Sequence, residues 1–193
     1  MYVAGIDEAG RGPLAGPVSA AAVVLKPDTK IDGLTDSKKL SDAQRQKLYP
    51  EIIQSALAYS IIMLGPREIE QHNIRQATLL AMQAAATEVE KELKSKCFFL
   101  IDGNMNLSKE DYLSEFVIKG DRKIRCISAA SILAKVTRDR EMVKLDEIYP
   151  GYGFRAHKGY PTAAHREQIK LLGPTEIHRR TFAGVKEYIT EES

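Results

Sequence analysis

Tryptophan is absent from the 193 residues, cysteine occurs twice, and aromatic residues make up 7% of the chain. Cys97 and Cys126 are too few for a disulfide framework and neither belongs to a CxxC pair, so a reduced, cytoplasmic setting is expected. Charge of one sign is also lacking: 28 Lys and Arg offset 26 Asp and Glu, for a net +2. That excludes a strongly basic tail-like binder and an acidic disordered chain. No apolar run approaches the roughly 18 residues of a membrane span. Met1 leads straight into a strand-like run without a charged leader, so neither membrane insertion nor export is expected. The four histidines, His72, His157, His165 and His178, fit no zinc spacing. No G-x-x-x-x-G-K-[ST] loop is present, and Gly10-Arg11-Gly12-Pro13 leads toward a second strand rather than a helix, which excludes the Rossmann fingerprint.

What is present is an ordinary globular composition, 44% hydrophobic and 28% charged, in a chain long enough to fold without crosslinks or structural metal. The charge is uneven. Residues 119–186 hold 15 basic and 7 acidic residues, a local +8 against −6 elsewhere, and such asymmetry points to a polyanionic partner.

Apolar runs predict strands at Tyr2–Ile6, ending at Asp7-Glu8, at Val18–Leu25, Tyr59–Leu64, Cys97–Ile101 and Phe116–Lys119. The short link between the first two favours an antiparallel pair, and the wholly apolar fourth reads as a central buried strand. Ser41-Asp42-Ala43-Gln44 has the spacing of a capping box, so a helix starts there, interrupted or restarted at Pro50. Ala77, Leu80, Ala81, Ala84, Ala85, Val89 and Leu93 share a face of a helix over 75–94. Ser128–Leu145 reads as a helix, 151–161 as a loop, and short helices follow at 162–172, with Thr162 as N-cap, and around 174–189. The order predicts an α/β fold with a mixed sheet flanked by helices.

The informative pattern is positional. Three strands end in acidic residues beside glycine: Asp7-Glu8, Asp102 and Asp121. Singly, each reads as a turn or cap residue. Jointly, on neighbouring strands, four carboxylates meet at one sheet edge, where α/β folds place ligand sites. Their mutual repulsion is relieved by divalent cations, and all-oxygen donors suit Mg²⁺ or Mn²⁺. Two such ions form the clamp used in phosphoryl transfer. Adjacent strand residues face opposite ways, so Asp7 and Glu8 can share a site only where the strand bends or ends. The turn's glycines let main-chain N–H groups approach a ligand, and Arg11 can fork onto a phosphate. His157-Lys158-Gly159-Tyr160 combines cations with an aromatic suited to stacking on a sugar or base. The lysines of Asp36-Ser37-Lys38-Lys39-Leu40 sit unfavourably near a helix N-terminus, which a bound anion would offset.

Residues 5–17, GIDEAGRGPLAGP, resemble the opening motif of the ribonuclease HII family. Asp36-Ser37-Lys38-Lys39-Leu40, Asp102-Gly103-Asn104, Lys119-Gly120-Asp121, the block from Ala129 to Asp139 and His157-Lys158-Gly159-Tyr160 resemble further family blocks in order, spanning residues 5 to about 186. The resemblance implies an RNase H-like mixed sheet flanked by helices, with a small helical C-terminal extension. It divides the chain into a catalytic core, 1–150, and a substrate loop with the extension, 151–193, in one compact unit. It implies an endonuclease that cuts RNA in RNA–DNA hybrids and 5′ of single ribonucleotides in duplex DNA. Asp7, Glu8, Asp102 and Asp121 would be catalytic and would bind two divalent ions. Gly10, Arg11 and Gly12 would contact the ribose 2′-hydroxyl, and Tyr160 would stack on the following deoxyribose. Lys39 and His157 join them as candidate substrate contacts, and a monomer is expected. Cys126-Ile127-Ser128 and Pro50 depart from the family pattern. Asp139 is read as a helix residue pairing with a neighbouring Arg rather than as a ligand. The rivals are a non-catalytic hybrid-binding module, against which the four carboxylates speak, and a junction resolvase or integrase, against which Tyr160 and the glycine turn speak.

Overall fold

The computed structural model describes residues 1–34, 37–108 and 110–189, apart from the side chain of Lys38. Five strands form one mixed sheet: β1 (Tyr2–Ala9), β2 (Val18–Leu25), β3 (Ala56–Leu64), β4 (Cys97–Asp102) and β5 (Leu113–Val117), in the order β3-β2-β1-β4-β5. β1 pairs antiparallel with β2 and parallel with β4, so the first strand is central. β3 and β5 are the edges. β1 does not end at Asp7-Glu8 as expected. It runs to Ala9 because β2 still pairs with it there, Ala9 opposite Ser19.

Helices cover both faces. α1 (Asp42–Ser55) and α3 (Arg125–Ile148) pack on one, α2 (Pro66–Leu93) on the other. β2 supplies alanines to both: Ala20 and Ala22 face α2, while Ala21 faces α1 and α3. Small residues let α3 lie unusually close to β1. A Cβ on Gly5 would stand 2.2 Å from the backbone of Cys126 and Ile127, so any other residue would push the helix off the sheet. From Ile127 to Ala134 every residue of α3 is buried.

The capping box on α1 is present, with Gln44 N–H donating to Ser41 Oγ at 3.3 Å and Ser41 N–H to Gln44 Oε1 at 2.7 Å. Pro50, expected to break this helix, lies inside it. Its ring removes one N–H bond, but Leu48 and Ile52 on either side are buried and hold the helix to the sheet. The helix expected over 75–94 is the second part of α2. Asn73, at φ 61°, separates it from a first part the periodicity missed, and its Oδ1 accepts from Arg75 and Gln76 N–H. Leu80, expected on the buried face, is exposed.

Beyond Tyr149 come the single turn α4 (Phe154–His157) and α5 (Ala163–Leu172), with Thr162 as N-cap. The helix expected around 174–189 does not form; turns and a 3₁₀ segment at Lys186–Tyr188 replace it. The cause is tertiary: Ile177 C=O accepts from Gly16 N–H and Arg179 N–H donates to Leu14 C=O, both at 2.8 Å. This segment therefore hydrogen-bonds to the glycine-rich turn instead of to itself.

Candidate active site

Asp7 and Asp102 lie one step beyond the last paired residues, Ile6 and Ile101, of two neighbouring parallel strands. Ile6 and Ile101 face α2, so by alternation Asp7 and Asp102 face α3. Asp7 is 5% exposed. Its Oδ1 accepts from Glu8 N–H at 2.7 Å, and it shares a hydrogen bond with Ser131 of α3. Burial raises its carboxyl well above the usual carboxylate range, and the charges of Glu8 and Asp102 add to the rise. Asp102 ends β4, and its Oδ1 accepts from the N–H groups of Gly120 at 2.7 Å and Asp121 at 3.3 Å. Asp121, also buried, sits in a 3₁₀ turn at Gly120–Arg122 that Ser128 Oγ ties to α3 through the Asp121 carbonyl.

The structure thus brings Asp7, Glu8 and Asp102 into electrostatic contact and joins Asp121 to them through Asp102. As they stand the carboxylates are not drawn to a common point: among the described residues no group of three or more His, Cys, Asp or Glu is set to hold an ion. Asp102 is held by two N–H groups, and Glu8 leans toward Arg11, Oε1 to Nη1 3.5 Å.

A cleft of about 260 Å³ opens over this edge, lined by Asp7, Glu8, the turn Gly10–Gly12, Lys135 and Tyr160, with Ser37 and Ser131 at its floor. Although β1 continues past them, Asp7 and Glu8 both reach this cleft. Gly10 has φ +95°, and a Cβ there would stand 2.1 Å from Arg138 Nε. Among the described residues, a Cβ on Gly12 would meet no atom within 4 Å beyond its chain neighbours, so no packing contact there demands glycine. Tyr160 is 38% exposed, and its ring centroid is 5.6 Å from Lys135 Nζ and 5.7 Å from Arg138 Cζ.

Other expected contacts are placed differently. Lys39 is exposed in the 3₁₀ turn Ser37–Lys39 and does not line the cleft; Asp36 lies outside the described residues. His157 braces its own loop, Nε2 bonding Tyr152 C=O at 2.8 Å and Nδ1 accepting from Gly159 N–H at 3.1 Å. Asp139 pairs with Lys135 Nζ at 2.7 Å rather than with an arginine. Ser131 and Lys135 were missed as cleft residues. Their spacing of four, continued to Asp139, puts all three on one helix face and was the available signal.

These features define a carboxylate-edged α/β nuclease of the RNase H class, and related proteins agree. The ribonuclease HII of Francisella tularensis subsp. tularensis (strain WY96-3418) is 51% identical over 191 residues, 99% of this chain and 100% of that protein. The ribonuclease H2 structure from Pyrococcus horikoshii OT3 matches with a TM-score of 0.79 and 30% identity, covering 97% of each chain. The structure of Bst-RNase HIII in complex with Mn²⁺ shares the fold, with a TM-score of 0.74 at 19% identity over 97% of this chain and 69% of that one. The family described as Ribonuclease HII matches residues 4–185. The chain belongs to the ribonuclease HII family and is a ribonuclease H, an endonuclease of the hydrolase class.

Proposed function

We propose that this enzyme hydrolyses the RNA strand of RNA–DNA hybrids and cuts 5′ of single ribonucleotides embedded in duplex DNA, leaving a 3′-hydroxyl and a 5′-phosphate. The observation that carries this reading is one cleft shared by the buried Asp7 and the half-buried Glu8, a glycine turn with open backbone and an exposed tyrosine. Asp7, Glu8, Asp102 and Asp121 are the residues that would hold two divalent ions, Mg²⁺ or Mn²⁺. The donor set fits: all donors are carboxylate oxygens, and the ionised form of Asp7 is opposed by burial and by two neighbouring carboxylates, a cost that cations remove. The Glu8–Arg11 contact that must give way is long, with the arginine 42% exposed, and such pairs are worth about 1 kcal/mol at most. When bound, such ions supply an activated water and charge stabilisation for the departing 3′-oxygen.

The protein's own groups do the selecting. Gly10, Arg11 and Gly12 offer backbone to the ribose 2′-hydroxyl, the one group that separates RNA from DNA. Tyr160 presents its ring to the sugar on the 3′ side, backed by Lys135 and Arg138. Residues 1–150 act as the catalytic core and 151–193 as the substrate loop and extension. The enzyme works as a monomer in the cytoplasm, in ribonucleotide repair and replication. Its cysteines are free, and no helix of the described residues is long and apolar enough to cross a membrane. The test compares three duplexes with and without chelator: one with a single ribonucleotide, an all-DNA control and a long hybrid. Cutting is expected in the first and third only, and only without chelator. Equal cutting of the all-DNA control sinks the reading.

A further inference from the structure

Two arginines with no accessible surface, Arg138 and Arg179, lie behind the glycine turn, and among the described residues no ion pair is made by either. Their donors go to backbone carbonyls instead, except Arg138 Nη1, which is buried without a partner among the described residues. Arg179 Nη2 donates to Gly10 C=O at 2.6 Å, Nη1 to Arg11 C=O at 2.9 Å and Nε to Gly16 C=O at 3.0 Å. Arg138 Nε donates to Pro17 C=O at 2.8 Å, and Nη2 to Ala15 C=O at 3.2 Å and Lys158 C=O at 3.0 Å. Burial, and then the charge of Arg138, lowers Arg179 to about 9, which still leaves it protonated at neutral pH.

The direction of these bonds has a geometric consequence. In a trans peptide the carbonyl and the following N–H point opposite ways, and no peptide here is cis. With the carbonyls of Gly10 and Arg11 turned inward to one guanidinium, the N–H groups of Arg11 and Gly12 turn outward. Neither N–H finds an acceptor in the described protein, whereas those of Leu14 and Gly16 in the same turn bond Gly159 and Ile177. Arg11 and Gly12 line the cleft.

We propose that Arg179 is a positioning residue for substrate selection: by forking onto the Gly10 and Arg11 carbonyls it aims the Arg11 and Gly12 N–H groups into the cleft as a pair of donors for a ribonucleotide 2′-hydroxyl. This deepens the ribonucleotide reading given above and rests on it for the identity of the acceptor. The buried charge also polarises the two peptide groups, which strengthens their N–H bonds to an oxygen. A lysine in its place keeps the charge but loses the planar fork that grips two carbonyls at once.

Two readouts on wild type and Arg179→Lys test this. The first needs no substrate: in free wild type the Arg11 and Gly12 amides exchange rapidly with water, and in Arg179→Lys their ¹H–¹⁵N resonances move and broaden. Unchanged resonances in a folded variant overturn the proposal. The second is affinity, in chelator, for a duplex with one ribonucleotide against the all-DNA duplex. Arg179→Lys is expected to lose about tenfold of that preference, the scale of a charge-assisted contact, with all-DNA affinity kept. A merely structural role would lower both affinities together, and that outcome also overturns the proposal. If wild type shows no preference while the first readout is as expected, the ribonucleotide reading fails and the aiming of the amides stands. Should Arg179→Lys not fold, titration of wild type decides: the two resonances must shift more with the ribonucleotide duplex than with all-DNA, and equal shifts overturn it.

Discussion

Asp7 is buried beside two other carboxylates, and each of these circumstances disfavours its charge. That arrangement costs stability, a cost that the cations proposed for this site would offset. Asp7→Asn keeps the shape and removes the charge. Without divalent metal it is expected to raise Tm by about 2–4 °C, the shift of about 1 kcal/mol in a domain of this size, while turnover falls by about 100-fold or more. Added Mn²⁺ should then raise the Tm of wild type and leave Asp7→Asn nearly unmoved; equal shifts by thermal melting would contradict the metal assignment. The carboxylates were legible in the sequence as acidic residues after apolar runs and near glycine, although only Asp102 ends a strand: β1 runs on to Ala9 and Asp121 sits in a 3₁₀ turn beyond β5. Arg138 and Arg179 were not, because their roles depend on contacts across long chain separations, such as Arg179 with Gly10, that no local pattern records; Ser131 and Lys135 left only their helical spacing as a signal.

Elements whose stability is local were read correctly, and those decided by tertiary bonding were not. The capped start of α1 and the Thr162 cap of α5 follow from neighbouring residues, whereas the segment after Pro174 is drawn off helix by the glycine turn. Pro50 is exposed within α1. Pro50→Ala should restore one helix bond and stabilise the protein by about 1–2 kcal/mol, less than the full cost of an interior proline because the substitution also frees the unfolded chain; a lower denaturation midpoint would contradict this. Between α5 and the tail, buried His165 and His178 meet at 3.2 Å, Nε2 to Nε2. Thr175 N–H donates to His178 Nδ1, so His178 Nε2 donates to His165, whose Nδ1 donates to the Tyr160 carbonyl. Burial lowers both histidines from 6.5 to about 4; His157 and Arg166 add to it for His165, and His165 and then His157 for His178. The unfolded chain therefore binds protons between about pH 6.5 and 4 that the folded one refuses, and stability falls as pH drops through that window. His178→Gln should flatten the fall of Tm between these pH values; an unchanged slope would show that the pair does not titrate as described.

Over the whole molecule, near-neutral charge conceals two opposed surfaces, an acidic cleft edge and a basic final third. The local +8 is also the exposed excess, because the buried Arg138 and Arg179 are matched by the buried Asp121 and Asp139. The remaining bases suffice for about five phosphate contacts, so hybrid affinity should drop by about two to three orders of magnitude from about 50 to about 200 mM salt. A flat salt dependence would place the duplex elsewhere. The central claim is that carboxylates gathered by β1, β4 and the Gly120–Arg122 turn perform the cut. Its most direct test is single-turnover cleavage, with Mg²⁺, of a duplex holding one ribonucleotide by wild type and Asp102→Asn, with binding measured alongside. The expected result is loss of cleavage by about 100-fold or more with binding largely kept. Near-normal cleavage by Asp102→Asn would contradict it.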